Sequence, residues 1–301
     1  MKTLSDDETI FDKHYKYTMK TLIFLILFLS LFFPASKGLA QKIFDVHIHG
    51  SNDIVSQLKE LKEAGVYKAA LSSSWNLQNS YRAHRQIGLL YGLMFPCPNG
   101  SVPYSLQPCF ENKKEWPPLA WVEQQIKDRK IDYFGEILSQ YYGISSADSL
   151  LFPYYALAEK YNLPVGIHTG GAGPNHGSPN FKMELGDPHL MEPLFLKFPK
   201  LKVWIMHSGD QYFKEAIAIM TIHNQVYADI SVISNPDIVP TAQFIMIMKS
   251  FLEAGLIDRL MFGTDNGNIK KVITRIERLN FLSKEQKDNI YYQNAERFFR
   301  K

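Results

Sequence analysis

The sequence predicts an α/β fold, a single-domain (β/α)8 barrel of the TIM type, preceded by a cleavable N-terminal signal segment. Eight short apolar runs follow one another from Ile43 onwards, and segments with a helical period separate them. The stretch from residue 41 to residue 301 is also close in length to the roughly 250 residues of such a barrel. Together these observations favour a closed parallel barrel.

The apolar runs are interpreted as buried strands, because each is a nearly continuous stretch of hydrophobic residues. They are IFDVHIH (43–49), YKAALSSS (67–74), IGLLYGLMF (87–95), IDYFGEI (131–137), LPVGIHT (163–169), LKVWIMHS (201–208), QVYADIS (225–231) and RLMFGTD (259–265). Strands of this type that alternate with helices form a parallel sheet whose outer side is covered by the helices. Eight such units closed on themselves make a barrel.

The segments between the runs carry the helical pattern. In IVSQLKELKEAG, Ile54, Leu58 and Leu61 share one face, and Gly65 marks the predicted end. The segments SLLFPYYALAEKYN, PHLMEPLFLKFP and IVPTAQFIMIMKSFLEAG behave similarly. A doubly wound open sheet is the alternative, but its G-x-G-x-x-G loop needs three glycines where HIHGSND has one.

The longest connections are expected after the third strand, at 96 to about 115, and after the fifth, at 170–188. Loops of this length usually cover or shape a site. Cys97 and Cys109 lie in the first of them, and in an oxidising compartment a disulfide between them would contribute about 3 kcal/mol. Two free thiols are the alternative. Neither cysteine has an adjacent histidine or a metal-type spacing, which disfavours catalysis by a thiolate.

Residues 1–40 are predicted to be an N-terminal extension followed by a secretory signal peptide at about 19–40. The run TLIFLILFLSLFF follows Lys20 and precedes the small-residue stretch PASKGLA. This run is too short to cross a bilayer core of about 30 Å as a helix. We expect cleavage after Ala40 and export to the periplasm or the medium, with an uncleaved membrane anchor as the alternative. Met19 would itself make a normal start, so the translation of residues 1–18 is left open.

The charge of the chain is close to balanced. It contains 33 basic and 30 acidic residues, for a formal net charge of +3. This disfavours nucleic acid or anionic lipid as the main partner. We expect a small-molecule substrate, no nucleic acid and no stable membrane insertion of the mature chain, and a homo-oligomer is left open.

Two histidines one residue apart end the first predicted strand. Alternate residues of a strand project to the same side, so His47 and His49 are expected to point into the barrel with Asp45 one pleat earlier. Neutral imidazoles in this arrangement are natural metal ligands. Further metal-capable residues end the fourth, fifth, sixth and eighth predicted strands: Glu136, His168, His207 and Asp265. Buried groups of this kind cost several kcal/mol unless they are paired or coordinated, so the set predicts a metal site.

The motifs D-x-H-x-H, GEI, IHTGG, MHSG, FGTD and the closing NIYYQNAERFF resemble the amidohydrolase superfamily, particularly its amidohydrolase-related branch. The resemblance covers Ile43 to Phe299. It implies a first metal held by His47, His49 and Asp265, and a second, if present, held by His168 and His207. Relatives often bridge two metals through a carboxylated lysine, which the fourth strand here lacks. Glu136 would therefore bridge, and one or two ions, most suitably Zn²⁺, are expected.

The resemblance also implies a catalytic domain at 41–301 and a metal-dependent hydrolase that cleaves an amide, ester or lactone bond. A bound Zn²⁺ lowers the pKa of its water from about 16 to about 7. Asp265 and His207 are the predicted catalytic residues, with Asp265 as the general base. A metal-dependent non-oxidative decarboxylase that acts on a small carboxylic acid is the alternative, and a binding protein that keeps the barrel without the catalysis ranks below both.

Four residues near the expected strand ends are candidate substrate contacts. Trp75 follows the second strand and Tyr141 follows the fourth, and either could wall a pocket or pack beneath a loop. His176 and Lys182 lie in the connection after the fifth strand, where His176 could fix the loop and Lys182 could bind a carboxylate or remain solvated.

Overall fold

Eight parallel strands are hydrogen-bonded in the order in which they occur along the chain. They are Ile43–His49 (β1), Val66–Ser73 (β2), Gly88–Phe95 (β3), Tyr133–Ile137 (β4), Val165–Ile167 (β5), Val203–Ile205 (β6), Val226–Asp229 (β7) and Leu260–Met261 (β8). The backbone N–H of Val46 donates to the carbonyl of Phe262 at 2.9 Å, which brings the end of β8 against β1. The sheet therefore forms a nearly closed barrel, as predicted, and the doubly wound alternative is wrong.

The computed structural model describes residues 41–105, 107–110 and 116–300. The predicted extension and signal peptide at 1–40 lie outside the described residues. The chain from Gln41 onwards groups into one unit. Within the described ranges, no helix is long and apolar enough to span a membrane.

Eleven α-helices occur among the described residues. They are Ile54–Glu63 (α1), Trp75–Tyr81 (α2), Leu119–Lys127 (α3), Ser139–Tyr142 (α4), Phe152–Lys160 (α5), Glu192–Lys197 (α6), Phe213–Ile222 (α7), Thr241–Glu253 (α8), Ile269–Glu277 (α9), Lys284–Asp288 (α10) and Asn294–Phe298 (α11). Short 3-10 segments occupy Pro98–Gly100, Met183–Gly186, Pro188–Met191, Met206–Tyr212 and Ile257–Arg259, and Asn289–Gln293 forms a π-helical turn.

Helix α1 shows why the sequence pattern located the helices. The side chain of Asp53 accepts a hydrogen bond from the backbone N–H of Ser56 and caps the first turn. Leu58 and Leu61 are buried on one face, as the period of the sequence predicts. Gly65 follows with φ +97°, a left-handed conformation that residues with a Cβ rarely adopt, so the helix ends where it was expected to.

The later strands are shorter than the sequence suggested. We expected His168, His207 and Asp265 to end β5, β6 and β8, but the three residues lie beyond the last residue of each strand. His207 has φ 63° and Asp265 has φ 48°. A left-handed residue cannot continue a pleated ladder, so the chain leaves the sheet before each of these two side chains.

An aromatic cluster forms a floor within the barrel. Trp204 and Tyr133 are fully buried, with ring centroids 5.3 Å apart, and Phe298 and Phe299 of the C-terminal segment pack against Trp204. The indole N–H of Trp204 and the hydroxyl of Tyr133 are hydrogen-bonded to polar side chains above them. This floor gives the polar residues at the carboxyl ends of the strands a rigid support.

The two long connections were correctly predicted to cover a site, because each supplies walls of a large cavity at the carboxyl ends of the strands. The first is closed by a disulfide between Cys97 and Cys109, so the free-thiol alternative does not apply. Tyr104 within it donates from its hydroxyl to the carbonyl of Gly173 in the second connection. The two loops thus support one another across the cavity.

Candidate active site

A cavity of about 900 Å³ opens at the carboxyl ends of the strands. Its lining includes five of the six predicted ligands: His49, Glu136, His168, His207 and Asp265. The sixth, His47, is fully buried, and its Nε2 lies 3.9 Å from both Glu136 Oε2 and Asp265 Oδ1. The volume is in the range of sites that enclose small molecules. The structure therefore brings all six residues together.

His47 is oriented by Asp229, a fully buried residue at the carboxyl end of β7. Asp229 Oδ2 accepts hydrogen bonds from His47 Nδ1 at 3.0 Å and from Trp204 Nε1 at 3.1 Å. Its Oδ1 accepts from the backbone N–H groups of His207 and Ser231, each at 3.0 Å. With Nδ1 engaged in this way, Nε2 is the atom that His47 presents to the centre of the site. This buried atom has no hydrogen-bond partner in the part of the chain that the structure describes.

Two further imidazoles are oriented in the same sense. His49 donates from Nδ1 to the carbonyl of Ser72 at 3.1 Å, and His207 donates from Nδ1 to Ser231 Oγ at 2.9 Å. Each therefore turns Nε2 towards the centre, an arrangement that a metal-binding histidine requires. The ring of His168 has the opposite orientation. Its Nε2 donates to a backbone carbonyl, and its Nδ1 lies 2.5 Å from Glu136 Oε1.

The donor atoms have the spacing of a metal ligand set. His47, His49 and Asp265 form one group, and His47, Glu136 and His207 form a second, with ligand atoms within 4.8 Å of one another. His49 Nε2 lies 2.9 Å from Asp265 Oδ1 and 3.4 Å from Glu136 Oε2. Ligands about 2.1 Å from a tetrahedral ion are roughly 3.4 Å apart. The residues present therefore fit a divalent cation.

The charges of the cluster also favour a cation. Burial raises the pKa of Asp265, but the hydrogen bond from His49 and the charge of that imidazole outweigh it and lower the pKa to about 2. Burial likewise opposes ionisation of Glu136, yet His168 holds its pKa well below the usual range. Burial lowers the pKa of His47, but nearby carboxylates, chiefly Asp229, outweigh this effect and raise the pKa to about 10. A divalent ion at the centre would replace the second ring proton of His47.

The turn after β8 is fixed to β1 by Asp45. This buried carboxylate accepts hydrogen bonds from the hydroxyl of Thr264 at 2.6 Å and from the backbone N–H of Thr264 at 3.1 Å. The backbone N–H of Asp265 donates to the carbonyl of His47 at 2.8 Å. These bonds stabilise the left-handed backbone of Asp265, a conformation that costs about 1 to 3 kcal/mol, and hold its carboxylate beside His49.

Of the candidate substrate contacts, Tyr141 lies on the cavity wall, with its ring centroid 4.7 Å from that of His168. Trp75 does not reach the cavity, because its ring packs edge-on against Trp121 at 4.8 Å. His176 is also off the wall, since it packs on Phe181 at 4.8 Å and accepts a hydrogen bond from a neighbouring backbone N–H. Lys182 is exposed to solvent and lines no part of the cavity.

Several residues of the site were not predicted from the sequence. Asp229 lies in the predicted seventh strand, and its position as a carboxylate at a strand end was the available signal. Ser231 follows two residues later and had no distinguishing signal. Tyr104 and Asp210 line the cavity from loops, whose paths depend on contacts that are distant along the chain.

A family model described as Amidohydrolase matches residues 119–301, which is more than half of the chain. The chain belongs to the amidohydrolase family. The residues matched include Glu136, His168, His207 and Asp265. No curated protein matches the chain.

Solved structures share the fold of this amidohydrolase. An uncharacterised TIM-barrel protein from Bordetella bronchiseptica is 19% identical, with a TM-score of 0.61, over 85% of this chain and 98% of that one. 2,6-Dihydroxybenzoate decarboxylase from Rhizobium is 12% identical, with a TM-score of 0.58, over 86% and 98%. A probable 2-pyrone-4,6-dicarboxylic acid hydrolase from Acinetobacter baumannii is 14% identical, with a TM-score of 0.58, over 86% and 99%.

Proposed function

We propose that this amidohydrolase is a metal-dependent hydrolase that cleaves an amide, ester or lactone bond of a small molecule. The observation that carries the proposal is the common orientation of His47, His49 and His207. Each imidazole has Nδ1 engaged in a hydrogen bond and Nε2 turned towards the carboxylates of Glu136 and Asp265. Ligands of nitrogen and oxygen in a spacing near 3.4 Å suit Zn²⁺, which we propose as the metal.

We infer one ion. Both ligand groups contain His47 Nε2, and a single imidazole nitrogen has one lone pair, so the two groups cannot each bind an ion through it at once. His47, His49 and Asp265 would hold the ion, with Glu136 within reach. When bound, such an ion acts as a Lewis acid towards a carbonyl oxygen and lowers the pKa of water.

The chain itself supplies the proton transfers. Asp265 is ionised and its side chain is 26% exposed, so its carboxylate can accept a proton from the attacking water and return it to the leaving group. His207 is held by Ser231 on the other side of the centre, where its Nε2 can contact the substrate oxygen. Tyr141 and Tyr104 form part of the cavity wall beside these groups.

The charge of the cavity wall favours hydrolysis over decarboxylation. None of the described lining residues is lysine or arginine. Asp210 adds negative charge to that of Glu136 and Asp265, whereas the charge of Asp237 is offset by Lys271, 2.8 Å away. A decarboxylase must bind a carboxylate. A bound Zn²⁺ would offset the charges of Glu136 and Asp265, so the charge that repels a substrate carboxylate is chiefly that of Asp210. We therefore propose that the substrate is uncharged or cationic.

A substrate panel tests this proposal. The zinc-loaded protein is incubated with matched lactones, esters and amides, each with and without a carboxylate group, and with aromatic acids. We expect hydrolysis of neutral members and no release of carbon dioxide. Release of carbon dioxide from an aromatic acid without hydrolysis of any neutral member would identify the decarboxylase alternative instead.

Replacing Asp210 by asparagine tests the role of the wall charge. Asp210 has no ion-pair partner in the described ranges. For a carboxylate-bearing substrate, we expect Asp210→Asn to raise kcat/KM about tenfold, since it removes a repulsion of roughly 1 to 2 kcal/mol across a partly solvated cavity. The neutral analogue is the internal control and should keep its kcat/KM. An equal change for both analogues would show that the charge of Asp210 does not select substrates.

We also propose that the protein is exported to the periplasm or the medium and that residues 41–301 form its mature catalytic domain. The run after Lys20 and the disulfide between Cys97 and Cys109 support this, because disulfides persist in oxidising compartments. Mass spectrometry of the fractionated protein should give a chain that begins at Gln41 with the two cysteines linked. A full-length chain that stays in the cytosol with both thiols open to alkylation would contradict export.

A further inference from the structure

A second cavity, of about 330 Å³, lies between helices α8 and α9. It shares no lining residue with the cavity that contains His49 and Asp265. Its lining includes four basic side chains and no acidic one: Lys270, Lys271, Arg275 and Arg278. The charge of this second cavity is therefore opposite to that of the candidate active site.

Arg275 is the central feature of the second cavity. The residue is only 6% exposed, and its guanidinium lies 4.5 Å above the ring of Phe244. All three guanidinium nitrogens are buried and have no hydrogen-bond partner among the residues that the structure describes. A buried arginine is normally paired with a carboxylate or a phosphate, because an unpaired charge away from water is costly. The donors of Arg275 thus lack a protein partner, and a small shift of this side chain, which lines the cavity, would present them to a ligand.

The surroundings add further positive charge. Lys270 and Arg278 form no ion pair within the described ranges, and the amine of Lys271 lies 2.8 Å from Asp237 Oδ1. Thr241, the first residue of α8, also lines the cavity, and no side chain caps that end of the helix. Free N–H groups at a helix N-terminus favour an anion. Three independent features therefore point to one kind of ligand.

We propose that the cavity between α8 and α9 binds a small ligand that carries a phosphate group. The planar fork of Arg275 matches two oxygens of a phosphate, and the flanking cations suit a dianion rather than a monoanion. The cavity has room for a phosphate and a small organic group attached to it. This proposal is independent of the reaction that the protein catalyses.

Isothermal titration calorimetry with inorganic phosphate and with phenyl phosphate, at constant ionic strength, tests the site. We expect wild-type protein to bind one equivalent and Arg275→Met to weaken this binding at least tenfold. Lys59→Ala, which removes an exposed lysine on α1, is the matched control and should bind as the wild type does. Phosphate that binds at the candidate metal centre instead would still bind to Arg275→Met.

Thermal unfolding gives a second readout that a purely structural role of Arg275 would not produce. Methionine keeps an apolar side chain at this position but removes the unpaired charge of the guanidinium over Phe244. We therefore expect Arg275→Met to unfold at a higher temperature than the wild type without phosphate, and to lose the increase that phosphate gives the wild type. If Arg275→Met fails to fold, Arg278→Ala at the rim should weaken phosphate binding in a folded protein.

Three results would overturn the proposal. The first is an absence of phosphate binding by the wild type. The second is binding of unchanged affinity by Arg275→Met, or by Arg278→Ala where that variant is used. The third is binding of succinate without any binding of phosphate or phenyl phosphate, which would assign the cavity to dicarboxylates.

Discussion

Replacing His49 by alanine is expected to lower the affinity of the protein for Zn²⁺ by more than about 100-fold, because even the outer partners of metal ligands contribute 10- to 100-fold. His49 Nε2 lies closer to Asp265 than any other imidazole nitrogen of the cluster does. The substitution removes one nitrogen ligand, and the carboxylates of Glu136 and Asp265 then repel each other with one imidazole fewer between them. Hydrolysis should fall with the metal content, as measured by elemental analysis and by initial rates on the same samples.

His189→Ala is the matched control for this substitution. Its side chain is 54% exposed, and it lies outside the lining of the candidate active site. The control should keep about one equivalent of zinc, the stoichiometry inferred for a tetrahedral site. If His49→Ala kept wild-type metal content and rate, the ligand assignment and the proposed hydrolase would both be wrong.

The sequence was sufficient to predict the barrel because parallel strands buried on both faces are continuous apolar runs. β1 and β3 were located within one residue of their ends, since their apolar runs and the loop residues that flank them are local signals. β8 was the least accurate, with two residues observed where seven were predicted. Its final residues form a turn held by Asp45 on β1, and no local pattern reports a contact across that distance.

Some residues of the candidate site could likewise be predicted from local sequence patterns, and others could not. His47 and His49 were identifiable because a strand has a period of two and polar residues are unexpected on its buried face. Asp229 is equally buried, but it is a lone carboxylate, and its importance arises from partners that are far from it along the chain. From its position after β2, Trp75 could wall the pocket or pack beneath a loop, and only the packing against Trp121 shows that it takes the second role.

Arg275 shows a further limit of sequence reasoning. An arginine on an amphipathic helix is ordinarily solvated, but Arg275 lies three residues after Val272 and four before Leu279, on the buried face of α9. Its burial depends on the approach of Phe244 from α8. The unpaired donors of Arg275 can therefore be recognised only in the packed structure. The net charge of the chain likewise does not give the charge of an individual cavity.

Replacing Asp229 by asparagine is expected to weaken Zn²⁺ binding by about 10- to 100-fold, although Asp229 is not itself a predicted ligand. Both carboxylate oxygens accept hydrogen bonds, from His47 and Trp204 on one side and from backbone N–H groups on the other. An amide group must place its own N–H donors against one of these sets. His47 would then lose the bond that turns its Nε2 towards the centre, which titration with a fluorescent zinc indicator can measure.

Asp128→Asn is the control for this variant, because Asp128 is an exposed carboxylate at the end of α3. Asp229→Asn should also reduce stability, so the zinc affinity must be measured on protein that circular dichroism shows to be folded. A stable, folded Asp229→Asn that bound zinc as tightly as the wild type would mean that His47 keeps its orientation without the carboxylate. In that case Ser231 Oγ, which lies 3.1 Å from His47 Nδ1, rather than Asp229, would position the imidazole.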